Sequence, residues 1–122
     1  MLDERLKLLI VEENEILRDL YSIILVERYV IIGAHGSVES AIKQLEHDKP
    51  DRIITEYVFR KGDDGLAVAR YANERYGLKS IIVSILDQTT INSIKGKEYC
   101  SSFIKKPFDI KEIICAIETP NQ

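Results

Sequence analysis

The most informative stretch of the chain is Leu6-Lys-Leu-Leu-Ile-Val-Glu-Glu-Asn14. Its first six residues are apolar except for Lys7, which is typical of a β-strand covered by protein on both faces. Two glutamates follow at once, and apolar residues then recur at helical spacing from Ile16 to about Arg28. Asn14 is suited to cap the start of that helix. The stretch therefore predicts a buried strand, an acidic strand end and an amphipathic helix.

The same order of strand and helix repeats through the rest of the chain. Further strands are predicted over Val30 to Ala34, at Ile53-Ile54 with an end near Glu56, over Ile81 to Leu86 and at Phe103-Ile104. Ser37 and Asp109 are suited to cap helices, Gly77 to end one, and the fourth helix is weak by propensity. Strands joined by helices form parallel sheets with right-handed crossovers. The sequence therefore predicts an α/β fold, a three-layer α/β/α sandwich with five parallel strands.

Length and composition limit the function classes. The chain has 122 residues, which predicts a single domain over 1–122, and its net charge of -3 gives no general attraction to nucleic acid or to an anionic membrane. No apolar run is long enough to span a bilayer, and the charged N-terminus does not resemble a signal peptide. Cys100 and Cys115 lack metal-ligand spacing and are interpreted as small buried hydrophobes. We therefore expect a cytoplasmic protein.

Charged residues end three of the predicted strands. Glu12 and Glu13 follow the first strand, Glu56 the third, and Lys106-Pro107 the fifth. The carboxyl ends of parallel strands lie at one edge of a sheet, where α/β proteins bind ligands. The ordinary explanation is that strands end in charged residues where they reach water. That explanation is less convincing when four such residues follow strands whose carboxyl ends lie together. We therefore predict a site built from these four residues.

The chain resembles the receiver domain of two-component response regulators over nearly its whole length. The resemblance rests on four motifs in order, namely Leu8-Leu-Ile-Val-Glu-Glu-Asn14, Pro50-Asp-Arg-Ile-Ile-Thr-Glu56, Gly62-Asp-Asp-Gly65 and Phe103-Ile-Lys-Lys-Pro-Phe108. It implies a flavodoxin-like (βα)5 fold with strand order 2-1-3-4-5. It also implies a partner, either a histidine kinase or a downstream signalling protein.

The resemblance assigns roles by position. Glu12 and Glu13 stand at the acidic pair and Glu56 at the phosphoryl acceptor, which together hold Mg²⁺ in the family. Lys106 stands at the lysine that stabilises the phosphate, and its bond to Pro107 is expected to be cis. The switch positions are Ile85, at the place of a Ser/Thr hydroxyl, and Phe103, at the place of an aromatic residue. A plain core role for Phe103 is at least as well supported.

Three of these positions depart from the family pattern. Glu56 places its carboxylate one methylene farther out than an aspartate, and phosphoryl transfer depends on positioning, so that an error near 1 Å costs roughly 10²-fold. Ile85 offers no hydroxyl, and Ser84 beside it is expected to point to the other face of the sheet. A shift of the alignment by one residue would instead place Ser84 at the hydroxyl position. Two glutamates crowd an octahedral Mg²⁺ site, so metal binding by Glu13 and Glu56 is expected to be weak or absent. No other cofactor is expected.

The favoured hypothesis is a phosphorylation-independent interaction domain, or pseudo-receiver, that is not an enzyme. It could form a homodimer or bind a partner through the fourth helix, fifth strand and fifth helix. The alternative is a phosphorylatable receiver that takes a phosphoryl group from a histidine kinase with Mg²⁺, with Asp63 or Asp64 as substitute acceptors. Glu56 could also imitate a phosphorylated residue, although a fixed conformation is favoured. A nucleotide-binding enzyme is disfavoured, since no glycine-rich phosphate loop follows the first strand.

Overall fold

A computed structural model describes residues 3–121, in which strands and helices alternate as the sequence predicts. The strands are β1 (Lys7–Val11), β2 (Val30–His35), β3 (Arg52–Glu56), β4 (Ser80–Ser84) and β5 (Cys100–Lys105). The helices are α1 (Glu15–Leu25), α2 (Val38–Leu45), α3 (Ala67–Tyr76), α4 (Gln88–Asn92) and α5 (Ile110–Glu118), with a 3₁₀ turn at Lys97–Tyr99 before β5. Among these described residues, no helix is both long and apolar enough to cross a membrane.

The five strands form one parallel sheet in the order β2-β1-β3-β4-β5. This is the flavodoxin-like order that the resemblance implies, and it is confirmed. The strand order reverses between β1 and β3, which are direct neighbours with Val11 opposite Thr55. The polar residues that follow β1, β3 and β5 therefore lie at the same edge of the sheet, at the position where open α/β sheets bind ligands.

Helices cover both faces of the sheet because successive strand residues point to opposite sides. Leu8 and Ile10 of β1 pack with α1 and α5, whereas Leu9 and Val11 pack with α2 and α3. A third cluster joins β4 to the ends of α3 and α4, with Ile82 at its centre. The core is therefore a sandwich of three layers, and β1 is buried on both faces as its apolar run predicts.

The helix ends follow the residues that the sequence marks. The side chains of Asn14, Ser37 and Asp109 each accept a hydrogen bond from a backbone N–H in the first turn of α1, α2 and α5. Gly77 ends α3 with φ of 69°, a left-handed conformation that glycine adopts without the steric penalty of a Cβ. These four predicted boundaries are confirmed.

Several predictions need correction. β4 ends at Ser84 and not at Leu86, because the chain bends there toward α4, which leaves Ile85 outside the strand and 66% exposed. β5 is longer than the predicted Phe103-Ile104 pair, since Cys100 to Lys105 pair with β4. The cysteines are not fully buried: Cys100 is half-buried and Cys115 is exposed on the outer face of α5.

Candidate functional site

An ion-paired cluster of three side chains lies at the carboxyl edge of the sheet. The ammonium of Lys106 is 2.7 Å from Oε1 of Glu12 and 2.7 Å from Oε1 of Glu56. Glu12 follows β1, Glu56 ends β3, and Lys106 follows β5, so three strands bring the groups together. The Lys106-Pro107 peptide bond is cis, as expected. We call these three residues the cleft floor.

The remaining carboxylate oxygens of the cleft floor are also hydrogen-bonded. Oε2 of Glu12 accepts the backbone N–H of Asn14 at 3.0 Å. Oε2 of Glu56 accepts the backbone N–H of Tyr57 at 2.6 Å and that of Val58 at 3.3 Å. Both carboxylates are therefore fixed by the turns that begin where β1 and β3 end. Local backbone geometry, and not only the lysine, sets their positions.

The three charged side chains of the cleft floor are largely buried, so each charge interacts strongly with the other two. The side chains of Lys106, Glu12 and Glu56 are 17%, 4% and 7% exposed. Burial by itself lowers the pKa of Lys106, but the hydrogen bonds and charges of the two glutamates outweigh it and raise that pKa above its ordinary value. The ammonium is therefore held charged at neutral pH. Two carboxylates share one cation, so the floor carries a formal charge of minus one when both are ionised.

A tyrosine on α1 packs beneath this cluster. Tyr21 is 2% exposed, and its ring stacks on that of Phe108 with centroids 5.6 Å apart. Burial raises the pKa of the Tyr21 hydroxyl, and the nearby charges of Glu12 and Glu56 add to the effect. Within residues 3–121 that hydroxyl has no hydrogen-bond partner. A neutral, buried hydroxyl therefore lies near two carboxylates, an arrangement that helical periodicity alone does not predict.

The second residue of the acidic pair is engaged elsewhere. The two carboxylate oxygens of Glu13 accept the backbone N–H of Arg60 at 3.1 and 3.2 Å, and the Arg60 guanidinium lies 3.7 Å away. Glu13 therefore joins the end of β1 to the loop that follows β3. Sequence reasoning did not include Arg60, because the pairing depends on how that loop folds back.

The cleft above the floor has a volume of about 500 Å³. Its walls include three apolar side chains, Ile16, Val58 and Ile85, which are 82%, 44% and 66% exposed. We call these three residues the cleft mouth. Glu13, Asn14, Glu15 and Arg60 complete the rim. The sheet edge therefore presents a charged base surrounded by exposed apolar groups.

Comparison with known proteins agrees with this geometry. Residues 8–118 match the model of the response regulator receiver domain. The chain belongs to this family. It is 26% identical over 113 residues to the transcriptional regulatory protein PdtaR of Mycobacterium tuberculosis, which matches 92% of this chain and 55% of that protein. The chain thus spans about half the length of the curated relatives that it matches.

Solved structures share the receiver fold at lower identity. A CheY-like receiver domain protein from Methanospirillum hungatei superposes with a TM-score of 0.82 at 16% identity, covering 94% of this chain and 92% of that one. A response regulator from Burkholderia pseudomallei, solved with a phosphorylated aspartic acid and a calcium ion, gives 0.77 at 18% identity, covering 93% of this chain and 66% of that one. At these identities the similarity shows the fold alone.

The two residues predicted as switch positions, Ile85 and Phe103, lie in different surroundings. Ile85 lines the cleft, whereas Ser84 is 4% exposed and does not contribute to the cleft wall. The Ser84 hydroxyl accepts the N–H of Leu86 at 3.4 Å. Phe103 is half-buried and packs against the cluster around Ile82. Ser84 and Phe103 therefore lie on the side of the sheet that faces α4. Ile85, in the loop after β4, lines the cleft instead.

The residues present do not fit the Mg²⁺ site that the receiver family implies. Every carboxylate oxygen of Glu12, Glu13 and Glu56 accepts a hydrogen bond from Lys106 or from the backbone. No three His, Cys, Asp or Glu residues within 3–121 are grouped as a metal ion requires. The Lys106 ammonium bridges the two carboxylates, so a divalent cation would compete with it for the same oxygens.

Proposed function

We propose that this receiver domain acts through protein contact and does not depend on phosphorylation of Glu56. The observation that carries the proposal is the closed cleft floor, in which Glu56 is 7% exposed and both of its oxygens are hydrogen-bonded. A transferred phosphoryl group would have to share these oxygens with Lys106 or with the backbone N–H groups of Tyr57 and Val58. Glu56 also reaches farther than an aspartate, so the acceptor geometry is displaced.

The environment of Ile85 supports the same proposal. A transferred phosphoryl group carries charge on three oxygens, which proteins stabilise with donors and cations. At the cleft wall Ile85 presents only methyl and methylene groups, and Ser84 does not reach it. The ion pair between Glu56 and Lys106 is compatible with two models. In one, the domain is held in a single conformation; in the other, Glu56 imitates a phosphorylated residue. The fixed conformation is favoured, because Ile85 has no hydroxyl that could move toward the negative charge of Glu56.

The two aspartates considered as substitute phosphoryl acceptors, Asp63 and Asp64, do not line the cleft. The carboxylate of Asp64 accepts the N–H of Leu66 at 2.9 Å and pairs with Arg70 at 2.8 Å. The hydrogen bond from Leu66 lowers the pKa of Asp64, with a smaller contribution from Arg70. Asp64 therefore serves the start of α3. Asp63 is exposed, and neither aspartate lines the cleft. Phosphorylation by a histidine kinase remains the second candidate function, favoured only by family membership.

Other parts of the proposal follow from family membership. Receiver domains exchange signals with kinases and other signalling proteins, so we propose a protein partner, a cytoplasmic setting, a non-enzymatic role and no nucleic-acid contact for residues 1–122 as a single domain. The face made by α4, β5 and α5 is one candidate for homodimer contact. It carries the exposed lysines Lys97, Lys105 and Lys111, so a contact there would be mainly polar.

The test is incubation with acetyl phosphate and Mg²⁺ followed by intact mass measurement. We expect no stable addition of a phosphoryl group to the wild-type chain. The matched variants are Glu56→Gln and Asp63→Asn. An acid-labile phosphoryl group that Glu56→Gln removes would overturn the proposal. One that persists in Glu56→Gln and disappears in Asp63→Asn would support the second candidate instead.

A further inference from the structure

Strand β2 forms a free edge of the sheet. It pairs with β1 on one side, and on its other side no strand lies among residues 3–121. Its apolar residues are Val30, Ile31, Ile32 and Ala34, whereas β5 at the opposite edge carries two serines and a lysine. A free edge strand that is uncharged and rich in β-branched residues pairs readily with another chain unless the fold prevents it.

The edge of β2 is interrupted at Ile32. The register with β1 passes from Ile31 directly to Gly33, so Ile32 has no opposite residue and forms a β-bulge. The C=O of Ile32 instead accepts a hydrogen bond of 2.8 Å from Nε2 of Gln44 on α2. Gln44 therefore occupies a backbone acceptor of the edge strand that β1 leaves unused.

The directions of the backbone groups show which part of the edge is free. The N–H of Val30 and the C=O of His35 each form a hydrogen bond of 2.9 Å with one of the two residues that flank β1. Residues of a regular strand that face the same neighbour are an even number of positions apart, and the bulge accounts for the odd spacing here. Ile31 and Ala34, which adjoin these two residues, therefore direct their backbone groups away from β1.

The amide of Gln44 is fixed from two further sides. Its Oε1 can only accept, so Nε2 of His35 donates to it, at 2.6 Å, while Nδ1 of His35 lies 3.1 Å from the Ser40 hydroxyl. Gly33 leaves room for the amide, because a Cβ at that position would collide with Oε1 of Gln44. Glycine otherwise weakens a strand, so its presence here agrees with the close approach of Gln44. We call Gln44 and His35 the β2 clasp.

Gln44 is able to leave this position without disturbing the core. It is half-buried, and it borders an open groove of about 510 Å³ together with Ile32 and His47. The packing of α2 against the sheet is provided by its buried residues Ala41 and Leu45. Rotation of the Gln44 side chain into the groove therefore frees the C=O of Ile32 and leaves α2 in place.

We propose that the β2 clasp closes the edge of β2 against a second copy of this chain, and that the β2 strands of two copies pair antiparallel when Gln44 turns away. A two-fold axis then relates the copies, so the outward backbone groups of Ile31 and Ala34 serve both and the contact closes as a dimer. Exposed Arg28 precedes β2 and exposed Glu39 follows it, so antiparallel pairing brings opposite charges together at both ends. The inference goes beyond the proposed function and uses no residue of the cleft.

The test compares Gln44→Ala with the wild type by sedimentation equilibrium over a range of concentrations. The matched control is Lys43→Ala, the neighbouring position on α2, whose ammonium is exposed and lies 3.3 Å from Glu39. We expect Gln44→Ala to self-associate at least about tenfold more tightly than the wild type, with a step that doubles its mass, and Lys43→Ala to match the wild type. Association of Gln44→Ala that equals that of the wild type, or of Lys43→Ala, would overturn the proposal.

A second substitution locates the contact. Proline has no N–H, and it is tolerated on an edge strand where that group faces away from the sheet, as it does at Ala34. The double variant Gln44→Ala/Ala34→Pro is therefore expected to return to the association of the wild type, with a far-UV circular dichroism spectrum that shows it folded. Tight association that persists in the folded double variant would place the contact elsewhere and contradict the proposal.

Amide hydrogen exchange separates strand pairing from a loss of stability. In associated Gln44→Ala, the N–H groups of Ile31 and Ala34 should exchange at least about tenfold more slowly than in the wild type, because pairing protects them. A substitution that only loosens β2 would make the same groups exchange faster, and that result would overturn the proposal. Slower exchange that appears only when a poly(Thr-Val) peptide is added would assign the edge to an extended partner and not to a second copy, which equally contradicts it.

Discussion

The cleft floor and the cleft mouth are close in sequence and opposite in character. Glu56 belongs to the floor and is 7% exposed, whereas Val58, two residues later, belongs to the mouth and is 44% exposed. The floor satisfies its buried charges internally, through Lys106 and backbone N–H groups. The mouth leaves apolar groups in contact with water. The difference indicates that internal contacts hold the carboxylate of Glu56 in place, while the apolar groups around it are exposed to solvent.

The largest expected effect comes from removing the cation of the floor. Lys106→Met keeps the length of the side chain but leaves the carboxylates of Glu12 and Glu56 buried without their shared partner. We expect the free energy of unfolding to fall by about 3–5 kcal/mol, the usual cost of leaving a buried charge unpaired. Urea unfolding at pH 7 measures it. The control is Lys105→Met, an exposed neighbour whose change should stay within about 0.5 kcal/mol. Similar losses in both variants would remove the distinction between floor and surface.

A second, smaller effect should appear at high pH. Burial raises the pKa of Tyr29 to about 12, helped by the hydrogen bond that its hydroxyl donates to Glu118 at 2.7 Å. The folded state then keeps a proton that the unfolded tyrosine loses near its ordinary pKa of 10.0. The pKa of Lys106 is also raised in the folded state. Both groups therefore contribute stability that is complete below about pH 10 and is lost as pH rises through their folded-state pKa values.

Unfolding measured at pH 9 and pH 11 checks this expectation. We expect a lower free energy of unfolding at pH 11, and a smaller pH-dependent loss in Tyr29→Phe, which cannot ionise at this position. The part that remains in Tyr29→Phe comes from the other groups whose pKa is raised in the folded state, namely Lys106, Tyr21 and Cys100. A wild-type stability that does not change between these pH values would show that neither proton is held more tightly in the folded state.

The smallest effect on stability is expected at the mouth. Ile85→Ser replaces an apolar side chain that is 66% exposed, so the free energy of unfolding should change by no more than about 0.5 kcal/mol. A loss comparable to that of Lys106→Met would show that the mouth supports the fold. Val58→Ser tests the same expectation on the opposite wall of the cleft.

Much of the fold follows from short-range sequence patterns. Five apolar runs, each followed by a helical period, were enough for the α/β class, and the caps at Asn14, Ser37 and Asp109 are local hydrogen bonds that residue type predicts. The errors concern the limits of β4 and β5 and the burial of the two cysteines. The predicted end of β4 is two residues late, because Ile85 and Leu86 are as apolar as the strand itself. Periodicity does not distinguish an exposed loop residue from a buried strand residue.

Strand ends and strand order place these charged residues at one edge of the sheet, so their position there can be predicted from the sequence alone. The contacts that they make at that edge depend on tertiary packing. The hydrogen bond from Lys106 to Glu12 joins positions 94 residues apart, and that from the N–H of Arg60 to Glu13 depends on a loop that folds back over the cleft. The exposure of Ile16 and Ile23 is likewise set by which side of α1 the sheet leaves uncovered. Such contacts depend on packing in three dimensions, which no local pattern encodes.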